Sequence, residues 1–111
     1  FCRMIVKKKN EILEIKPANI KFIKSFKINS FNKKYKNHDI ILVIDFLIDV
    51  DLTDIIYKWV SILKKTNNFL IIVVDNINED LLNNQSFIFV PTIKEAIDYI
   101  NLEKINKHLD L

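Results

Sequence analysis

Asp39-Ile40-Ile41-Leu42-Val43-Ile44-Asp45-Phe46 is the stretch on which the fold turns. Ile40, Ile41, Val43 and Ile44 are β-branched, and nothing polar interrupts the run between the two aspartates. A strand with one wet face alternates apolar and polar residues. A continuous run belongs to a strand covered on both faces, as in a parallel sheet. Phe69-Leu70-Ile71-Ile72-Val73-Val74 repeats the pattern, and Phe87-Ile88-Phe89-Val90 gives a shorter third copy.

Working outward, the segments between these strands have helical spacing. Ile55, Ile56, Trp59, Val60 and Leu63 form one apolar stripe, which predicts a helix over 53–65. Before the first core strand, Ile20, Ile23 and Phe26 predict an amphipathic helix from Ala18 towards Tyr35. It bends or breaks near Asn29, Ser30 and Asn32, which are weak helix formers, and Phe31 and Tyr35 are out of phase with its first stripe. Asn78 to Leu82 is read as one helical turn. Thr92-Ile93-Lys94-Glu95 has capping-box spacing and opens a helix with Ala96, Ile97 and Ile100 inward. Leu102, Ile105 and Leu109 are read as a second short helix that continues to the end. Met4-Ile5-Val6 and Ile12-Leu13-Glu14-Ile15 flank a polar stretch and predict an N-terminal hairpin. Pro17 closes its second strand, because proline has no N–H for the ladder. The order is ββαβαβ(α)βα: one α/β domain over 1–111, with a mostly parallel sheet of four to five strands flanked by helices.

Composition removes many chemistries. The chain has no Gly. Phosphate-cradling loops, dinucleotide fingerprints and the nucleophile elbow all need it for close approach or left-handed turns, so none of them can be written here. One cysteine, Cys2, rules out an internal disulfide and a multi-thiolate metal site. His38 and His108 have no ligand spacing relative to each other and read as surface histidines. The expectation is therefore no catalytic site, no cofactor and no metal. The longest apolar run, Phe69 to Val74, is far short of the roughly 20 residues a membrane span needs. Without a secretory signal pattern, the cytoplasm is the expected location.

Two charged groups remain as candidates. Asp45, Asp49, Asp51 and Asp54 lie where a core strand gives way to a helix, the usual position of sites in open α/β sheets. With Asp75 they could hold Mg²⁺. The plainer reading is helix capping and a favourable interaction with the helix dipole. The second group is basic. Residues 1–38 hold 11 Lys/Arg against 2 Glu, a net of +9, whereas 39–111 hold 6 against 12, a net of −6. Lys21, Lys24, Lys27, Lys33 and Lys34 could meet nucleic-acid phosphates, with Phe22, Phe26, Phe31 and Tyr35 as stacking surfaces. A solvated lysine face with core aromatics is the plainer alternative. Ile, Lys and Asn make up 50 of the 111 residues, the mark of an A+T-rich genome, so the lysines owe something to codon bias.

The element order, the strand-to-helix junction and the C-terminal tail together resemble a STAS domain (sulfate transporter and anti-sigma factor antagonist), a protein-interaction module. That family carries Asp-Ser-Ser-Gly after its third strand and is phosphorylated on a serine there. The aligned stretch is Asp51-Leu52-Thr53-Asp54: Asp51 matches, Thr53 could supply the hydroxyl, and Leu52 and Asp54 depart. The tail Phe89-Val90-Pro91-Thr92-Ile93-Lys94-Glu95-Ala96-Ile97-Asp98-Tyr99-Ile100, with Ile44-Asp45-Phe46-Leu47, is similar to that of short Bacteroidetes proteins often labelled ribonuclease Z. The composition would suit a reduced-genome endosymbiont of that phylum. True ribonuclease Z needs a histidine-rich two-metal centre, which two scattered histidines cannot build. The resemblance thus implies a non-enzymatic, STAS-like module that contacts another protein, in an accessory role in tRNA 3′-end processing. It places the interaction loop at Asp45, Asp49, Asp51, Thr53 and Asp54, with Thr53 as the phosphorylation candidate. RNA binding through the Lys-rich first helix is the alternative; no membrane contact is expected.

Overall fold

A computed structural model describes residues 4–9, 12–17, 20–24, 33, 35, 37–46, 50–74 and 87–109. The elements are β1 (Met4–Lys9), β2 (Ile12–Pro17), α1 (Ile20–Lys24), β3 (Asp39–Val43), α2 (Val50–Lys64), β4 (Leu70–Val73), β5 (Ile88–Val90) and α3 (Ile93–Leu109). They build a five-stranded sheet in the order β1-β2-β3-β4-β5. β1 runs antiparallel to β2, with Met4 opposite Pro17 and Lys9 opposite Ile12. β2, β3, β4 and β5 are parallel. The α/β class and the mostly parallel sheet follow the sequence pattern, and Pro17 is the last residue of its strand.

The pleat sorts the strand residues between two cores. Leu13, Ile15, Ile40, Leu42, Leu70, Ile72 and Phe87 face one side. There they meet Ile23 of α1 and Leu52, Ile56, Trp59, Val60 and Leu63 of α2. Ile12, Ile41, Ile71 and Val73 face the other side, against Ala96 and Ile100 of α3. β3 and β4 are thus covered on both faces, which is why their sequences are apolar without alternation. Burying each such Leu, Ile or Val side chain contributes roughly 1.5–3 kcal/mol.

α3 packs on β3, β4 and β5. Ile12 of β2 is buried on that face, but Glu14 is half-buried and Lys16 exposed, so the face opens to solvent towards the hairpin. Three expectations are corrected. The hairpin strands are longer: β1 extends through Lys9, into the stretch read as its turn. The core strands are shorter than their apolar runs, β3 ending at Val43 and β4 spanning Leu70–Val73. The C-terminal segment is one helix of 17 residues and not two. Leu102 and Ile105 fall off its buried stripe and point to solvent, at 58% and 55% exposure. Of the segment 18–35, Ile20–Lys24, Lys33 and Tyr35 are helical. The bend at 29–32 and the turn at 78–82 lie outside the described residues.

The helix ends show how the chain manages without glycine. At the start of α3, Thr92 Oγ1 accepts the Glu95 N–H at 3.1 Å, the first half of the expected capping box. At the end of α2, Asn68 N–H donates to Leu63 O at 2.9 Å and Asn67 N–H to Lys64 O at 3.2 Å. This is a Schellman closure, with Asn67 in the left-handed region at φ 59°. Glycine usually fills that position; asparagine is the next-best tolerated residue. Asn68 Nδ2 donates to Thr66 Oγ1 at 2.8 Å and fastens the turn.

Candidate functional site

The acidic junction lies at the carboxyl edge of the parallel strands. Asp45 follows β3 and is exposed; Phe46 beside it packs on the first core. Asp51 and Asp54 are exposed in the first turns of α2. Leu52 is fully buried between them, and Thr53 is half-buried. The helical period explains this split: Leu52, Ile56 and Trp59 take the inner stripe, leaving Asp51 and Asp54 outside. Acidic side chains there complement the positive end of the helix dipole. Asp51, Leu52 and Thr53 all have interaction partners. Asp49 and Asp75 lie outside the described residues. Among the described residues, no group of three or more His, Cys, Asp or Glu is arranged to hold a metal ion.

One residue on this surface was not expected from sequence. Tyr57 lies one turn beyond Asp54 and is 52% exposed. Together Asp51, Asp54, Tyr57 and Lys58 form the outer face of α2. The signal was available: Tyr57 falls between the inward positions Ile56 and Trp59, off the stripe they define.

The basic candidates are only partly placed. Lys21 on α1 and Lys33 are exposed, and Lys24 belongs to α1. Lys27 and Lys34 lie outside the described residues, as do Phe26 and Phe31. Phe22 and Tyr35 are half-buried, and Tyr35 packs on the first core. Burial raises the Tyr35 hydroxyl pKa above the ordinary value. That placement agrees with core aromatics better than with stacking platforms.

His38, expected at the surface, is half-buried: its N–H donates to Tyr35 O at 3.1 Å, and its Nδ1 is buried without a hydrogen-bond partner among the described residues. His108 belongs to α3, and Cys2 lies outside the described residues.

A polar pair that sequence reasoning passed over sits at the opposite, amino edge of the sheet. Asp39, the first residue of β3, is 1% exposed. Its Oδ1 accepts the Phe69 N–H at 2.9 Å, just before β4. Its Oδ2 forms an ion pair with Nζ of Lys104 on α3. One carboxylate thereby joins two strands and the C-terminal helix. Beside it, Phe69 and Tyr99 meet edge to face, with ring centroids 6.5 Å apart at 83°. No helix among the described residues is long and apolar enough to cross a membrane. Comparison with family models, curated proteins and solved structures finds no match to this chain.

Proposed function

We propose that this chain is a non-enzymatic, STAS-like interaction domain. It contacts a protein partner through the carboxyl edge at Asp45–Asp54 and the outer face of α2. The observation that carries the reading is Tyr57, a half-exposed aromatic set one turn from Asp54 and two from Asp51. Tyrosine offers a large, stiff, amphipathic surface and is enriched at interface centres. The flanking carboxylates supply the charge that orients a partner. Thr53, half-buried at the same helix start, is the candidate for phosphorylation, and an added phosphate there would sit at the favourable end of the helix dipole. The resemblance to short proteins labelled ribonuclease Z extends the proposal to an accessory contact in tRNA 3′-end processing. Hydrolysis would then belong to the partner.

The test places a photo-crosslinking residue at position 57 and repeats the experiment with Asp51→Lys and Thr53→Glu together. A specific protein adduct that these changes abolish is expected. If no specific adduct forms at position 57, the surface is elsewhere; if the same adduct persists with both changes, Asp51 and Thr53 are not part of it.

A further inference from the structure

The strand order converts a charge split along the chain into a charge split in space. Because the sheet runs β1-β2-β3-β4-β5, the described elements of the basic first third, β1, β2 and α1, lie towards one edge. β1, β2 and α1 carry six lysines and one glutamate. The remaining elements carry five lysines against six acidic residues. With strands about 4.8 Å apart, β3 is about 10 Å from β1 and β5 about 19 Å. The Debye length is about 8 Å at physiological salt. Charges more than a Debye length away along the sheet are largely screened from this edge, and within its three elements the one acidic residue is Glu14, opposite Lys7.

We propose that the β1–β2–α1 edge binds RNA along its phosphodiester backbone, without base specificity. Three consecutive lysines, Lys7, Lys8 and Lys9, belong to the edge strand itself. Lys16 is exposed on the neighbouring strand, on the sheet face that α3 leaves open, whereas Lys21 is exposed on α1, which packs against the opposite face. A six-residue strand is about 20 Å long, enough to track several nucleotides of a single strand. β2 is paired with β3 along its other side, so the hairpin is not a free two-stranded ribbon that could enter a duplex groove. Lysines on an edge strand also deter pairing with other chains. That role needs no ligand and leaves no salt-dependent RNA signature. The surface is separate from Tyr57 and does not rest on the protein-contact reading.

The experiment is fluorescence anisotropy with a labelled mixed-sequence 20-nucleotide RNA, titrated with the full chain at 50 and 200 mM KCl. Four phosphate contacts on a single strand give a slope near −2.8 in log K against log salt, so affinity should fall about 50-fold between the two salts. Lys7→Glu with Lys9→Glu should weaken binding at least tenfold at 50 mM and flatten the slope by about 1.4. Lys64→Glu with Lys65→Glu, at the far end of α2, changes net charge equally and should stay within threefold. If the glutamate pair impairs folding by circular dichroism, Lys7→Gln with Lys9→Gln replaces it. No binding at 50 mM, a slope shallower than −1, equal loss in the α2 control, or tighter binding to duplex DNA of the same length each overturns the proposal. A protein adduct at position 57 that survives ribonuclease treatment leaves the other surface standing whatever the RNA result.

Discussion

Removing the ammonium that faces Asp39 is a sharp test of the polar joint between sheet and C-terminal helix. In Lys104→Met, an aspartate that is 1% exposed keeps the Phe69 N–H at 2.9 Å and loses its counter-ion. Breaking a fully buried ion pair by deleting one partner costs about 3–5 kcal/mol, because the remaining charge is left desolvated. Lys104 is 45% exposed, so the pair is only about half withdrawn from water, and about 2 kcal/mol is the appropriate scale. Asp39→Asn differs: Oδ1 can still accept the Phe69 N–H, the buried charge is gone, and Lys104 can turn to solvent. Its cost is the difference between a charge-assisted and a neutral hydrogen bond, about 1 kcal/mol, partly offset by the avoided desolvation. Urea unfolding followed by circular dichroism measures both. With a slope of about 1.5 kcal/mol/M, Lys104→Met should lower the midpoint by about 1.3 M and Asp39→Asn by half that or less. The double variant should resemble Asp39→Asn alone, because the methionine no longer abandons a charge. Strict additivity, or Asp39→Asn as the costlier single change, would refute the reasoning.

Other expectations concern the helix ends and a half-buried phenol. Asn67→Ala puts a Cβ residue with no local hydrogen-bonding group into the left-handed region and should cost about 1 kcal/mol, whereas Asn67→Gly should not destabilise; thermal melts of the two separate strain from lost side-chain contacts. Thr92→Ala removes the acceptor for Glu95 N–H and should cost about 1 kcal/mol, with Thr92→Ser restoring most of it in the same assay. Burial, and secondarily the Glu103 charge, raise the Tyr99 pKa above 10.0. The neutral phenol is thus favoured in the folded state. Its stabilising contribution is complete below pH 10 and is lost as pH climbs through the folded value. Ultraviolet phenolate titration of wild type against Tyr99→Phe should show one late-ionising tyrosine missing in the variant, and Glu103→Gln should bring that ionisation to lower pH.

What was legible in the sequence depended on short-range regularity. The β-branched runs at 39–46 and 69–74 identified the two doubly covered strands, and Ile56, Trp59, Val60 and Leu63 of the expected stripe are buried under α2, with Ile55 half-buried; the helix starts at Val50 and not at Thr53, which adds Leu52 to its buried side. Thr92 and Glu95 announced a helix start by spacing alone. Failures came where the decisive partner is remote. Asp39 looks like an ordinary polar strand end; its burial depends on Phe69 and on Lys104, 65 positions along the chain. The phase change at Leu102 looks like a helix break because exposed leucine is costly. Yet good helix formers, Glu103 and Lys104, carry the backbone through, and the Lys104 contact holds it there. Asn67 escaped notice because the usual C-terminal marker, glycine, is absent from the chain. At the candidate site, the acidic junction was found from its position after a strand. Tyr57 was missed because attention to the inward stripe ignored what the outward stripe displayed.

The agreement between strand order and chain order also bears on how the molecule is made. Each new strand joins one already in place: Ile12 pairs with Asp39, Ile40 with Leu70, and Ile71 with Ile88. None of the described strands must wait for a later one to be inserted between it and its neighbour. Loop closure between successive strands therefore stays short, and the entropy of each closure is repaid before the next begins. During synthesis the basic hairpin emerges ahead of β3, β4 and β5, and the sheet can grow outward from it strand by strand, with α3 sealing the second face once β5 is complete. Stalled chains ending after Lys65, Val90 and Leu111 should then show stepwise protection from protease, with β3 acquiring its protection before β5 exists.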